Sequence, residues 1–170
     1  MVPGAVELAR YAEHLQRLHP EELGFLPRMS IREYSQRGQI IPAFENDDCC
    51  GYVLYYDGRN GNRPRKHPYT LKIHQMCVEY DARRVHHALD LFARTTRIAV
   101  CGGMTHIEAW VASDIDANAF WSATGCEHVA TRMGGRKRHR LHNLWRFQLP
   151  AVLPALIGPH HNRTHSPIEA

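Results

Sequence analysis

The stretch that decides the fold is Leu71-Lys-Ile-His-Gln-Met-Cys-Val-Glu79, followed after an arginine-led segment by Thr105-His-Ile-Glu-Ala-Trp-Val111. Both runs are short and rich in branched, aromatic and apolar residues, which is strand chemistry. Between them, residues 83–97 place Val85, Ala88, Leu89 and Phe92 along one side, the stripe of an amphipathic helix. Cys101-Gly102-Gly103 breaks the chain before the second run. Beyond it, Ser113-x-x-Asp116 caps another helix, which Gly125 closes. A strand, a crossover helix and a parallel strand make a right-handed unit with its ligand site at the carboxyl ends of the strands. Functional chemistry is therefore expected near residues 78–88 and 111–116.

Working outward, residues 5–18 read as an amphipathic helix with Val6, Ala9, Leu15 and Leu18 on its apolar side. Its Glu7, Arg10, Glu13 and Arg17 are foreign to a secretory leader. Ser30-Ile-Arg-Glu33 is a capping-box pattern opening a short helix to Arg37, which Gly38 ends. Residues 39–45 and 50–56 pair as a hairpin across Asn46-Asp47-Asp48. Residues 126–131 and 141–149 form a last strand pair, the second with Leu141, Trp145, Phe147 and Leu149 alternating with polar positions. The fold class is α/β in the α+β sense: a single domain over residues 1–149, with a mixed central sheet flanked by helices. Residues 150–170, rich in Pro and His, read as a flexible tail.

The chain has 170 residues, enough to bury a core without cross-links. No apolar run approaches the roughly 20 residues of a membrane helix. Five cysteines with no C-x-x-C pair suit free thiols in a reducing compartment, the cytoplasm. The 21 basic and 17 acidic residues leave +4, unevenly spread. Arg132, Arg136, Lys137, Arg138 and Arg140 fall in one acid-free run; Arg59, Arg63, Arg65 and Lys66 form another. Such runs suit an anionic partner, a cofactor's phosphates or a nucleic acid. Thirteen histidines invite a metal, yet His86 and His87 are helix neighbours, and His139 and His142 would face opposite sides of a strand. No Cys/His spacing matches structural zinc, so no metal is expected.

The order of elements resembles the core of the GCN5-related N-acetyltransferase (GNAT) superfamily over about residues 22–149. In that family the central strand ends in valine and turns into a helix through Gln or Arg, two variable residues, Gly, one variable residue, and Gly or Ala. Here Val78 is followed by Arg83-Arg84-Val85-His86-His87-Ala88, so His86 replaces the motif glycine. The resemblance implies that this turn holds the diphosphate of acetyl-coenzyme A at a helix N-terminus. It also implies that Met76, Cys77 and Val78 hold the pantetheine and polarise the thioester carbonyl, and that Asn118 belongs to the cofactor site. The helix around Phe120-Trp121 matches a second motif, with Trp121 where members often carry a tyrosine that protonates the thiolate. The family's first strand has no counterpart in residues 1–4.

The implied activity is transfer of an acetyl or other acyl group from acyl-coenzyme A, as co-substrate, to a primary amine on a small or macromolecular acceptor. Members often use a glutamate three residues before the terminal valine as base; that position is Gln75, with His74 beside it and Glu108 on the neighbouring strand. Strand alternation puts His74 and Gln75 on opposite faces. Two other readings share the fold. One is a nucleic-acid-binding or DNA base-modifying protein, resembling the phage-encoded Mom family, that uses the basic runs. The other is a non-catalytic binding module. A homodimer fits any of them.

Overall fold

The computed structural model describes residues 3–58, 69–83, 86–134 and 139–150. Three helices come first: α1 (Ala5–Leu18), α2 (Pro20–Leu23) and α3 (Arg28–Gln36). They are followed by β1 (Ile40–Glu45), β2 (Asp48–Tyr56), β3 (Thr70–Val78), α4 (His87–Cys101), β4 (His106–Ala112), α5 (Ala117–Ala123), β5 (Glu127–Gly134) and β6 (Arg140–Gln148). The six strands form one sheet in the order β1-β2-β3-β4-β6-β5. Only β3 and β4 run parallel; every other neighbouring pair is antiparallel. This is the expected mixed sheet flanked by helices.

Each face of the sheet carries its own core. Leu91, Phe92 and Ala99 of α4 and Trp121 of α5 pack on Leu71, Ile73, Ile107, Ala109 and Val111. On the opposite face, Ala9, Ala12 and Leu15 of α1 and Ile31 of α3 pack on Ile40, Tyr52, Leu54 and Cys77. Helices α1 and α3 thus cover the β1–β3 half. Edge strand β5 is exposed along almost its whole length.

Helix α1 matches the expected range. The β1–β2 hairpin turns on Asn46 and Asp47, with φ of 49° and 70°, the left-handed pair that suits Asn and Asp. Several helices differ from expectation. Helix α3 begins at Arg28 behind Pro27, placing Ser30 inside it, because the proline fixes the entry dihedral one turn earlier. The helix expected from Arg83 begins at His87, after a 3₁₀ turn over Tyr80–Ala82. Helix α2 was not expected at all. Pro20 in its first turn and Glu21 and Glu22 near its N-terminus are the local signal for it.

Among the described residues no helix is long and apolar enough to cross a membrane. The tail from 151, the basic residues Arg59, Arg63, Arg65 and Lys66, and Arg84, Val85, Arg136, Lys137 and Arg138 lie outside the described residues.

Strand β2 approaches β3 closely at Gly51, where a Cβ would stand 2.6 Å from the Cys77 carbonyl oxygen and 3.1 Å from the Val78 Cα. Neither atom can rotate away. Gly51→Ala is expected to destabilise the fold by about 1–3 kcal/mol, read as a lower urea midpoint. An unchanged midpoint would show that β2 and β3 can separate at little cost.

Candidate active site

The site begins where two strands part. β3 and β4 pair from Thr70↔His106 to Ile73↔Ala109, and there the ladder ends, although β3 continues to Val78 and β4 to Ala112. β3 stays joined to β2 as far as Val78↔Gly51, so it is on its β4 side that residues 74–78 lose their ladder partner. The gap opens into a cleft of about 1150 Å³. Its walls include Ile73 through Val78, Ala109 through Ala112, Arg83, Ala88, Phe120 and Trp121, with Glu21 through Phe25 along one rim.

A β-bulge sits at the point of divergence. Leu54 pairs with Gln75 and Tyr55 with Ile73, so His74 is an extra residue in β3. The bulge overturns the expected alternation: His74 and Gln75 both turn toward the α1–α3 side. The Gln75 amide Nε2 donates to Gln16 Oε1 at 2.7 Å and to the Leu23 carbonyl at 3.3 Å, and its Oε1 accepts from the Tyr52 hydroxyl at 2.9 Å. Gln16 in turn holds both backbone groups of Leu26, at 2.7 and 3.0 Å. Gln75, only 3% exposed, therefore pins the α2 segment over the cleft. An amide has no useful basicity, and this one is fully engaged, which removes Gln75 from the candidate bases.

His74 is exposed and lines the cleft, its ring 5.6 Å from that of Tyr34 and 6.2 Å from that of Tyr56. Partial desolvation among these rings, aided by the Lys72 charge, lowers its pKa below the ordinary histidine value. Glu108 stands outside the cleft. Its Oε1 accepts from Arg146 at 2.6 and 3.0 Å and lies 3.6 Å from His106 Nε2. That placement corrects the expectation of Glu108 as base: it is on the paired part of β4, opposite Lys72.

The expected cofactor residues divide in the same way. Met76, Cys77, Val78, Arg83 and Ala88 line the cleft. Burial pushes the Cys77 thiol up to about 12, so it is a wall and not a nucleophile. α4 opens beside the cleft, and its first-turn amides have no partner within the helix. His86 is exposed and is absent from the lining, so the substituted motif position does not fill the hollow. His87 turns away, its Nε2 4.0 Å from Glu45. Asn118 is likewise off the wall: its Nδ2 donates to the carbonyls of Ala112 and Ile115 at 2.7 and 2.9 Å. Its Oδ1 accepts from Trp145 and Asn143 at 2.9 and 3.1 Å. Asn118 thus fastens the start of α5 to β4 and β6, a positioning role in place of the expected ligand role. Trp121, 4% exposed, packs edge-on to Phe92 with centroids 5.7 Å apart.

The described members of the basic run are also engaged. The Arg132 guanidinium lies 3.9 Å from the centre of the Trp110 ring, a cation–π contact. Arg140 donates to Asp114 Oδ1 at 2.6 Å and to the Glu21 carbonyl, and this bond holds the Asp114 carboxyl below its ordinary pKa. Across the cleft, Arg83 donates from Nε to the Val78 carbonyl at 3.0 Å and from its two Nη atoms to Glu22 at 2.6 and 3.3 Å. Glu21, Glu22, Phe25, Trp110 and His142 were not expected in the site, whereas Asp114 falls in the expected 111–116 segment. The loop after α2 and the outer end of β6 reach the cleft only through tertiary packing, so no local motif marks them. Among the described residues no three His, Cys, Asp or Glu side chains group as a metal set.

No protein-family model matches the chain, and no curated protein matches it by sequence. Solved structures do resemble it. YncA of Salmonella typhimurium, named as an acetyltransferase with its cofactor acetyl-CoA, superposes with a TM-score of 0.71 at 17% identity over 90% of this chain and 94% of that one. A ribosomal-protein-alanine N-acetyltransferase from Brucella melitensis gives 0.67 at 15% identity over 88% and 98%. A GNAT-family acetyltransferase from Streptococcus pneumoniae gives 0.66 at 12% identity over 88% and 98%. The chain has the GNAT fold.

If Gln75 pins α2, Gln75→Leu takes the acceptor from the buried Tyr52 hydroxyl and the Gln75 donor from Gln16 Oε1 and the Leu23 carbonyl. The expected loss is about 1–3 kcal/mol of stability, with faster amide exchange at Leu26. Wild-type stability and exchange would mean that the glutamine chain carries no load.

Proposed function

We propose that the protein is an N-acyltransferase moving an acyl group, acetyl in the first instance, from a coenzyme A thioester to a primary amine. The observation that carries this reading is the parting of β3 and β4 after Ile73 and Ala109. An extended chain such as pantetheine can lie in that gap and pair with the backbone of residues 74–78, completing the ladder that β4 abandons. The likeness to YncA, named with acetyl-CoA, supports it. Cleft volume, the amides opening α4 and the Arg83 guanidinium suit a long ligand with a diphosphate at one end.

The thioester supplies an electrophilic carbonyl. The amine enters protonated, and His74, held neutral by its lowered pKa, takes that proton directly or through water. The freed amine forms the C–N bond and the C–S bond breaks. Gap-facing amides of β3 stabilise the charge gathering on the carbonyl oxygen. The nitrogen's second proton passes through water to the departing thiolate, since the Trp121 indole is a donor that does not release one. The lining sets Glu21, Glu22, Asp114 and Asp116 against Arg83 and Arg140, a balance that favours a cationic amine over a nucleic acid. Five free cysteines fit a cytoplasmic setting.

Calorimetric titration with acetyl-coenzyme A tests the reading; no heat at millimolar ligand would defeat it. His74→Ala is expected to lower kcat about 100-fold while leaving acetyl-coenzyme A affinity unchanged. Because the folded pKa lies below about 6.5, the base form is already filled at neutral pH. Wild-type kcat/KM should therefore be flat near pH 7 and fall only as pH drops through a value under 6.5. A profile that keeps the same acid limb in the alanine variant would place the base elsewhere.

A further inference from the structure

The two glutamates of α2 each hold an arginine from a different bank of the cleft. Glu22 pairs with Arg83, which follows β3, at 2.6 Å. Glu21 pairs with Arg140, at the start of β6, at 3.6 Å, and Arg140 also takes Asp114. The segment between them is short: four residues of helix, closed at Gly24 with φ 67°, a conformation that glycine adopts freely. Both glutamates and both arginines are among the residues that line the cleft. Arg83 offers a bidentate fork suited to phosphate, and a carboxylate of the same chain fills it.

We propose that Glu22 is an internal stand-in for a ligand phosphate, so that a diphosphate binds by taking Arg83 from it and releasing the α2 strap. Arg83 is half-exposed and anchored through Nε to the Val78 carbonyl, so its fork stays in place when its partner changes. Glu22 is then left beside a phosphate of its own sign and must swing out, carrying α2 with it. Glu22 thereby competes with ligands that bring a diphosphate and not with pantetheine fragments that bring none. The proposal rests on the acyltransferase reading only for the identity of that anion.

The experiment titrates the full chain with inorganic pyrophosphate, coenzyme A and pantetheine at one ionic strength. Glu22→Gln should tighten pyrophosphate and coenzyme A about fivefold, the scale of a half-exposed ion pair, and leave pantetheine unchanged. Glu21→Gln changes net charge equally, but Arg140 stays on Asp114 and on the backbone carbonyl of residue 21, so it should leave pyrophosphate affinity near wild type. In an Arg83→Gln background the Glu22→Gln gain should vanish. Pyrophosphate should also speed exchange of the Leu23 and Gly24 amides, which close α2 onto His19 and Pro20. Equal gains from both glutamate variants, a gain that survives loss of Arg83, or unaltered exchange would each overturn the proposal. Pyrophosphate tightening without any coenzyme A binding would keep the strap and sink the acyl-coenzyme A reading. Coenzyme A binding equally to wild type and Glu22→Gln would do the reverse.

Discussion

The structure depends on a ladder that stops. β3 and β4 are held side by side for four residue pairs and then diverge, while β3 remains bound to β2. An interrupted ladder leaves backbone donors and acceptors facing a cavity, which is costly unless a ligand or water meets them. The inserted residue at His74 makes the interruption possible, because a bulge adds local twist and bends its strand. With β2 fixed on one side, the bend turns β3 away from β4. The same insertion rotates His74 and Gln75 onto a common side, one toward the cleft and one into the α1 core.

Everything around the cleft keeps this wedge from collapsing. Asn118 joins the end of β4, the start of α5 and two residues of β6, so β4 leans toward β6 and not back toward β3. Phe92 meets Phe120, Trp121 and Phe147 edge-on beneath the opening, a rigid aromatic floor where the bulk of α4 and α5 comes together. On the other bank the glutamine chain from Gln75 through Gln16 to Leu26 carries the α2 rim. None of these groups needs to touch a ligand to matter. They set the width and direction of the gap.

Charge is arranged with the same economy. The cleft's arginines are not free: each is matched to a glutamate of α2, and Arg140 to Asp114 as well. A partly buried guanidinium without a counter-ion would be unfavourable, so pairing stabilises the empty cleft while leaving a partner that an anion can replace. Arg132 is held differently, its guanidinium over the Trp110 ring.

The chain's local chemistry determined the framework: the amphipathic period of α1, the Asn46–Asp47 turn, the strand-helix-strand-helix order and the apolar character of the two central strands. These follow from propensity and periodicity, which act over a few residues. Tertiary structure decided which side chains meet. One extra residue in a strand reverses every later facing, and period-two reasoning cannot register it. For the same reason Glu108 and Asn118, attractive by position, turn out to be held by Arg146 and by the ends of β4 and β6. Glu22 reaches Arg83 across 61 positions of chain. Contacts at that separation come from packing two layers on one sheet, and no window of sequence contains them.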